Sequence, residues 1–126
     1  MTEKITKATK NSWKVTPMDK PKLVYVDLKL TQEHFEKLQV GFMPRNMDDR
    51  WFVYFENDWI YFHRSWTGYE IFKAQIYQDN NGYFVKDFWV ESNTEKFNLS
   101  DEKDMINTFC FILYRIVLRV ELPEIQ

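Results

Sequence analysis

Between Arg50 and Lys73 the chain reads RWFVYFENDWIYFHRSWTGYEIFK, short blocks of aromatic and branched residues broken by turn formers, and this pattern predicts two consecutive β-hairpins. A two-residue loop at Asn57-Asp58 sets Phe55 against Ile60, Val53 against Phe62 and Trp51 against Arg64. That face is apolar down to its last pair. The other face carries Phe52, Tyr54, Trp59, Tyr61 and His63, rings that nearly all have a polar tip. The second turn reads as a three-residue loop, Trp66-Thr67-Gly68, with Gly68 in the left-handed conformation. This register sets Phe62 against Phe72 and Ile60 against Ala74, whereas a two-residue loop would oppose Phe62 to Lys73. It also places Arg64 beside Glu70 as an opposite-charge pair.

On the N-terminal side, LVYVDLKL alternates as a strand over 23–30 with Val24, Val26 and Leu28 on one side. Thr31 caps a short helix, TQEHFEKLQV, which Gly41 ends; Phe35 and Leu38, with Gln39 at the margin, form its inner stripe, and His34 points sideways or outward. The following FMPRNMDDR has no period of either kind and is read as a loop. Its Arg45, Asp48, Asp49 and Arg50 either line a site beside the sheet edge or form an ordinary polar connection. Beyond the central stretch, a third hairpin turns at DNNG. The favoured register buries Phe88 and Val90 beside Phe72 and Ala74, and leaves Tyr83, Val85, Asp87 and Trp89 on the second face with Ile71, Lys73 and Tyr77; the other register buries Val85 and Trp89.

The last apolar segment predicts a helix capped by Asn98 or Ser100 and running to Leu118, about 27 Å at ~1.5 Å per residue. Met105, Ile106, Phe109, Leu113, Ile116, Val117 and Val120 form its stripe, and Phe111, Ile112 and Leu118 lie off it, so that, with the ring-rich second face of the sheet, a symmetric homodimer is expected. Arg115 and Arg119 are the only cations in its second half, and Cys110 reads as a small buried side chain.

These elements make an α+β fold: an antiparallel four- to five-stranded β-meander, with the long C-terminal helix and the short helix packed on the face of Val53, Phe55, Ile60, Phe62, Phe72 and Ala74. A curled, half-closed barrel around the final helix is the alternative. Composition restricts this to one core, since 126 residues are too few for two ordinary domains. An aromatic share of 18% implies a core built on rings or a face kept for a partner. Residues 1–22 carry a net +4 and the remainder −6, which divides the chain into a basic, partly flexible N-terminal arm (1–22) and a single acidic α+β domain (23–126). An acidic body argues against nucleic acid as a partner. The N-terminal MTEKITKATKNSWK has no apolar run, no stretch reaches the length of a membrane span, and one cysteine allows no disulfide framework, so the expected setting is cytoplasmic with no membrane contact.

Catalytic motifs are sparse. Three glycines, each at a cap or turn, leave none for a phosphate loop, and His34, His63 and Cys110 fall on separate elements, so no metal and no cofactor is expected. Ser65 near His63 lacks the glycines of a nucleophile elbow. What stands out is HRSWTG, which gathers an imidazole, a guanidinium, two hydroxyls and an indole at one hairpin end, either as a site or as a turn clasped by an Arg-Glu pair with a Trp packed over it. The segment 49–73 resembles one found in uncharacterised small bacterial and phage proteins, where an RWF block precedes YFHRSWTG. The likeness is carried by Arg50, Trp51, His63, Arg64, Ser65, Trp66, Thr67 and Gly68, and it implies kinship without an activity.

Three classes of function follow. A non-catalytic binding protein would hold a planar or anionic small ligand, nucleotide-like, through Arg50, His63, Arg64, Trp66 and Thr67. An interaction protein of the inhibitor or immunity type would use the aromatic face, or the apolar back of the last helix, to occlude a partner or form a homodimer. A small hydrolase would need His63 or Glu70 as general base and Arg64 or Arg50 against developing charge, and it has the least support.

Overall fold

The computed structural model describes residues 7–122, and over that range the chain forms an antiparallel six-stranded sheet with helices on one face. The strands are β1 (Pro21–Leu30), β2 (Trp51–Glu56), β3 (Trp59–Arg64), β4 (Glu70–Gln75), β5 (Tyr77–Asp79) and β6 (Gly82–Glu91); α1 spans Gln32–Leu38 and α2 Glu102–Cys110, the latter continuing as a π-helix over Phe111–Leu118. The α+β architecture is the one expected, with one strand more than the range allowed. The surplus arises at Ile76, whose buried side chain and whose N–H donated to the Asp58 carbonyl at 2.7 Å break one long strand into β4 and β5. The sheet order is β1-β6-β4-β3-β2, so β1 and β2 remain edges and the sheet does not close into a barrel.

The first hairpin forms in the expected register, Trp51 opposite Arg64 through Phe55 opposite Ile60. Positive φ at both Asn57 (52°) and Asp58 (69°) marks a type I′ turn, the hand that suits twisted strands. The second hairpin pairs Phe62 with Phe72 and Ile60 with Ala74 as expected, but the register shifts between Phe62 and His63, and Glu70 then faces His63. The loop is therefore four residues, Ser65–Gly68, closed by the Arg64 N–H on the Tyr69 carbonyl at 2.9 Å. Gly68 is left-handed, with φ 79°. The extra residue, Ile71, joins Phe72 in the helix-side core instead of lying on the second face, and the expected Arg64–Glu70 pair does not form.

Phe88 and Val90 are buried beside Phe72, as the favoured register requires. Val85 is buried too, opposite Leu28, because β1 carries one extra residue between Tyr25 and Leu28 and the pairing shifts there. At the centre, the ring of Phe109 from α2 stands 4.3 Å from Phe88, 5.2 Å from Phe62 and 5.7 Å from Phe72. The short helix packs on the same face: Leu38 is buried there, and Phe35 stacks on Tyr83 at 4.0 Å. Thr31 caps α1, and His34 is drawn into a capping box, accepting the Thr31 N–H on Nδ1 at 3.2 Å.

The long helix departs from the sequence pattern in two ways. Its N-cap is Asp101, which accepts the Asp104 N–H at 2.8 Å, while Ser100 donates to the Asp104 carboxylate. From Phe111 on, bonding shifts toward an i→i−5 spacing, as in Arg119 N–H to the Tyr114 carbonyl. Wider turns carry Ile112, Tyr114 and Leu118 into the core and leave Phe111 50% exposed, so two of the three residues thought to face a second subunit are interior. Cys110, buried at the joint between α2 and the π-helix, has its thiol pushed up to about 11 by desolvation.

The second face of the sheet is closed by the N-terminal segment. Ala8 is buried against Phe52 and Tyr54, and Trp13 stacks on Phe52 at 6.1 Å. Thr16 donates to the Gly68 carbonyl at 2.8 Å and accepts from Glu70 N–H at 3.0 Å. Two buried carboxylates fasten the rest: Glu70 accepts the Met18 N–H, and Glu91 those of Asp19 and Lys20. No helix of the described residues is long and apolar enough to cross a membrane.

Candidate functional site

Between the loop that follows α1 and the π-helix lies a cleft of about 440 Å³. Its near wall begins where Gly41, with φ 74°, turns the chain and Phe42 exchanges two hydrogen bonds with Val53 at 2.9 and 3.0 Å. Beyond this bridge the Asn46 side chain accepts the Asp48 N–H at 2.9 Å, a local turn that needs no regular structure. Asp49 then folds back on Arg45, accepting its backbone N–H at 2.9 Å and its Nε at 3.0 Å. The Arg45 guanidinium holds the Asp49 carboxyl below its usual range and is itself made more basic by that bond.

Opposite stand Phe111, Arg115, Ile116 and Arg119, with Trp51 between the walls. Arg119 caps the π-helix in the left-handed conformation, φ 59° and ψ 43°, a region that a residue with a Cβ enters only at a cost. Arg115 lies 3.4 Å from Glu121. Four guanidinium groups thus border one cleft with two aspartates, and Arg50 and Arg119 have no carboxylate within ion-pair distance among the described residues. Three apolar rings, Phe42, Trp51 and Phe111, share the lining.

Only part of the expected site is brought together here. Arg50 lines the cleft, in the company of Arg45, Asp48 and Asp49 from the loop read as a possible site wall. Arg64 lies behind it: its guanidinium sits over Trp51 at 4.9 Å and over Phe97 at 5.2 Å, and desolvation together with the neighbouring Arg50 charge lowers its pKa. His63 is on the opposite face, 2% exposed, with its ring 5.5 Å from Tyr54 and 5.8 Å from Phe52. Burial pulls its pKa down to about 4, and its Nδ1 has no hydrogen-bond partner among the described residues. Trp66 donates its indole N–H to the Met47 carbonyl and borders a second groove with Trp13, Lys14, Pro44 and Met47, which shares Arg45 with the cleft. The Thr67 hydroxyl accepts the Tyr69 N–H. Glu70, which would have paired with Arg64, has its pKa raised by desolvation beneath the arm.

Among the lining residues that sequence reasoning did not assign to the site are Phe111, Arg115 and Arg119. Their signal was present, because two arginines on an otherwise apolar helix end need a reason to be there. Among the described residues no three His, Cys, Asp or Glu side chains cluster as a metal site requires. No family model, no curated protein and no solved structure matches the chain.

Proposed function

We propose that the cleft binds a planar, anionic small molecule of nucleotide-like chemistry and holds it without transforming it. The observation that carries this reading is the convergence of Arg45, Arg50, Arg115 and Arg119 on one cleft whose remaining lining includes Phe42, Trp51 and Phe111. Guanidinium groups bind phosphate or carboxylate through paired N–H donors and offer no base for proton transfer. Rings and guanidinium planes give a flat ligand two kinds of surface to stack on. The cleft volume falls inside the range of roughly 300–1,000 Å³ usual for small-molecule sites. A reducing, cytoplasmic setting fits the single buried thiol.

Calorimetric titration with adenosine monophosphate, adenosine and inorganic phosphate tests it. The nucleotide should bind more tightly than either half, and Arg50→Ala should weaken it about tenfold, the usual worth of a charge-assisted contact. Arg119→Gly separates stability from binding, because glycine relieves the left-handed strain by about 1 kcal/mol while removing the guanidinium. Its melting temperature should hold or rise as affinity falls. A wild-type protein that binds none of the three at millimolar concentration would end this reading.

The inhibitor or immunity-type alternative draws on another surface, where Trp66 is 58% exposed beside an exposed Met47. Light scattering at micromolar concentration that gave twice the mass of 15.5 kDa would favour it.

A further inference from the structure

We infer that Ser65 and Trp66 are positioning residues for the cleft: they are not among its lining residues, yet they fix the loop on which Arg45 and Arg50 stand. This rests on the reading of the cleft as an anion site. Between the Phe42–Val53 bridge and Trp51 the chain has no regular structure, and such segments ordinarily open at little free-energy cost. Here three of its carbonyls are held by the next turn along. The Trp66 Nε1 donates to Met47 at 3.1 Å, the Ser65 Oγ to Asp49 at 2.9 Å, and the Ser65 backbone N–H to Arg50 at 2.9 Å.

The bonds form a relay toward the cleft. Ser65 is buried, so its hydroxyl has no water to turn to and donates its hydrogen bond to the Asp49 carbonyl. With its backbone fixed in this way, the Asp49 carboxylate grips both the N–H and the Nε of Arg45. The adjoining Arg50 carbonyl is fixed by Ser65 itself, so the arginine enters the cleft from an anchored backbone. On the far side, the Trp13 Nε1 donates to the Ser65 carbonyl at 2.7 Å and ties the relay to the N-terminal segment. An indole as exposed as that of Trp66 contributes little by burial. Its N–H bond to the loop gives it a reason to be there.

The experiment uses the full chain with Ser65→Ala, Trp66→Phe and the hydroxyl-retaining Ser65→Thr, and combines amide hydrogen exchange without ligand with titration of adenosine monophosphate. In Ser65→Ala and Trp66→Phe, amides of 46–50 should exchange about fivefold faster or more while those of β3 and β4 keep their protection. Nucleotide affinity should fall about fivefold, the worth of one lost hydrogen bond, and Ser65→Thr should restore both readouts. Unchanged exchange at 46–50, or faster exchange with unchanged affinity, overturns the inference. A wild-type protein that fails to bind the nucleotide overturns the anion reading instead. If Ser65→Ala does not fold, Trp66→Phe decides, because its ring is largely in solvent and its loss removes no core.

Discussion

The two faces of this sheet are sealed by different means. On the helix side, Phe62, Phe72, Phe88 and Phe109 meet ring to ring with no polar atom to satisfy, and the covering element bonds its own backbone internally. On the other side an irregular segment lies over Phe52 and Tyr54, and its N–H groups at Thr16, Met18, Asp19 and Lys20 find their acceptors in the sheet below. That requirement explains why Glu70 and Glu91 are buried where an alternating strand would hold apolar residues. A helix can close a face with area alone, whereas a strap closes it only if the face underneath supplies acceptors.

The largest effect is expected from the helix side. Phe109→Ala should cost about 3–5 kcal/mol in denaturant unfolding, since it opens a cavity among the three remaining rings, Phe62, Phe72 and Phe88, which cannot all collapse into it. A loss below ~1 kcal/mol would mean that the cluster is not the centre of the core.

The strap side should instead reveal itself through pH. His63 is held near 4 in the folded chain against an ordinary 6.5, so between those values the unfolded chain binds a proton that the folded one refuses, and stability falls as pH drops through this window. The full difference is about 3 kcal/mol at ~1.4 kcal/mol per pKa unit. Glu70 works in the opposite sense, because its raised pKa lets the folded chain take up its proton first and gains stability on acidification. His63→Leu should flatten the decline between pH 6.5 and 4; an unchanged slope would show that the imidazole is not sealed.

Smallest of the three is Gly68→Ala, which should cost about 1–2 kcal/mol in thermal or chemical unfolding. Positive φ supplies the first part, and a Cβ 2.9 Å from the Lys14 carbonyl adds to it by pushing against the strap. An unchanged melting temperature would mean that strap and turn are not in contact.

What could be read from the sequence was whatever depends on local pairing. Trp51 against Arg64 and Phe62 against Phe72 follow from alternation and turn length, because a slip by one residue would turn every apolar side chain outward. Neither the bulge at Ile71 nor the shift near Leu28 has such a signature, as each is set by how neighbouring strands twist together. The π-helix escaped for a related reason: FILYRIVL is apolar at nearly every position and suits either spacing. The candidate site was half legible. Arg45 and Arg50 could be marked because a loop without period carried them, but only the third dimension sets Arg119 across from them, 69 residues further along than Arg50. His63 and Trp66 share the motif with Arg64, and alternation along the strand sends His63 to the opposite face.

Cys110 gives the molecule a built-in clock. It occupies the joint where the helix widens, and with its pKa near 11 only roughly one thiol in ten thousand is ionised at neutral pH. A thiol reagent added to the native chain therefore finds almost nothing to react with until that joint comes away from the sheet. The labelling rate should then report local opening of the helix that carries Arg115 and Arg119, and a small molecule bound in the proposed site should slow it.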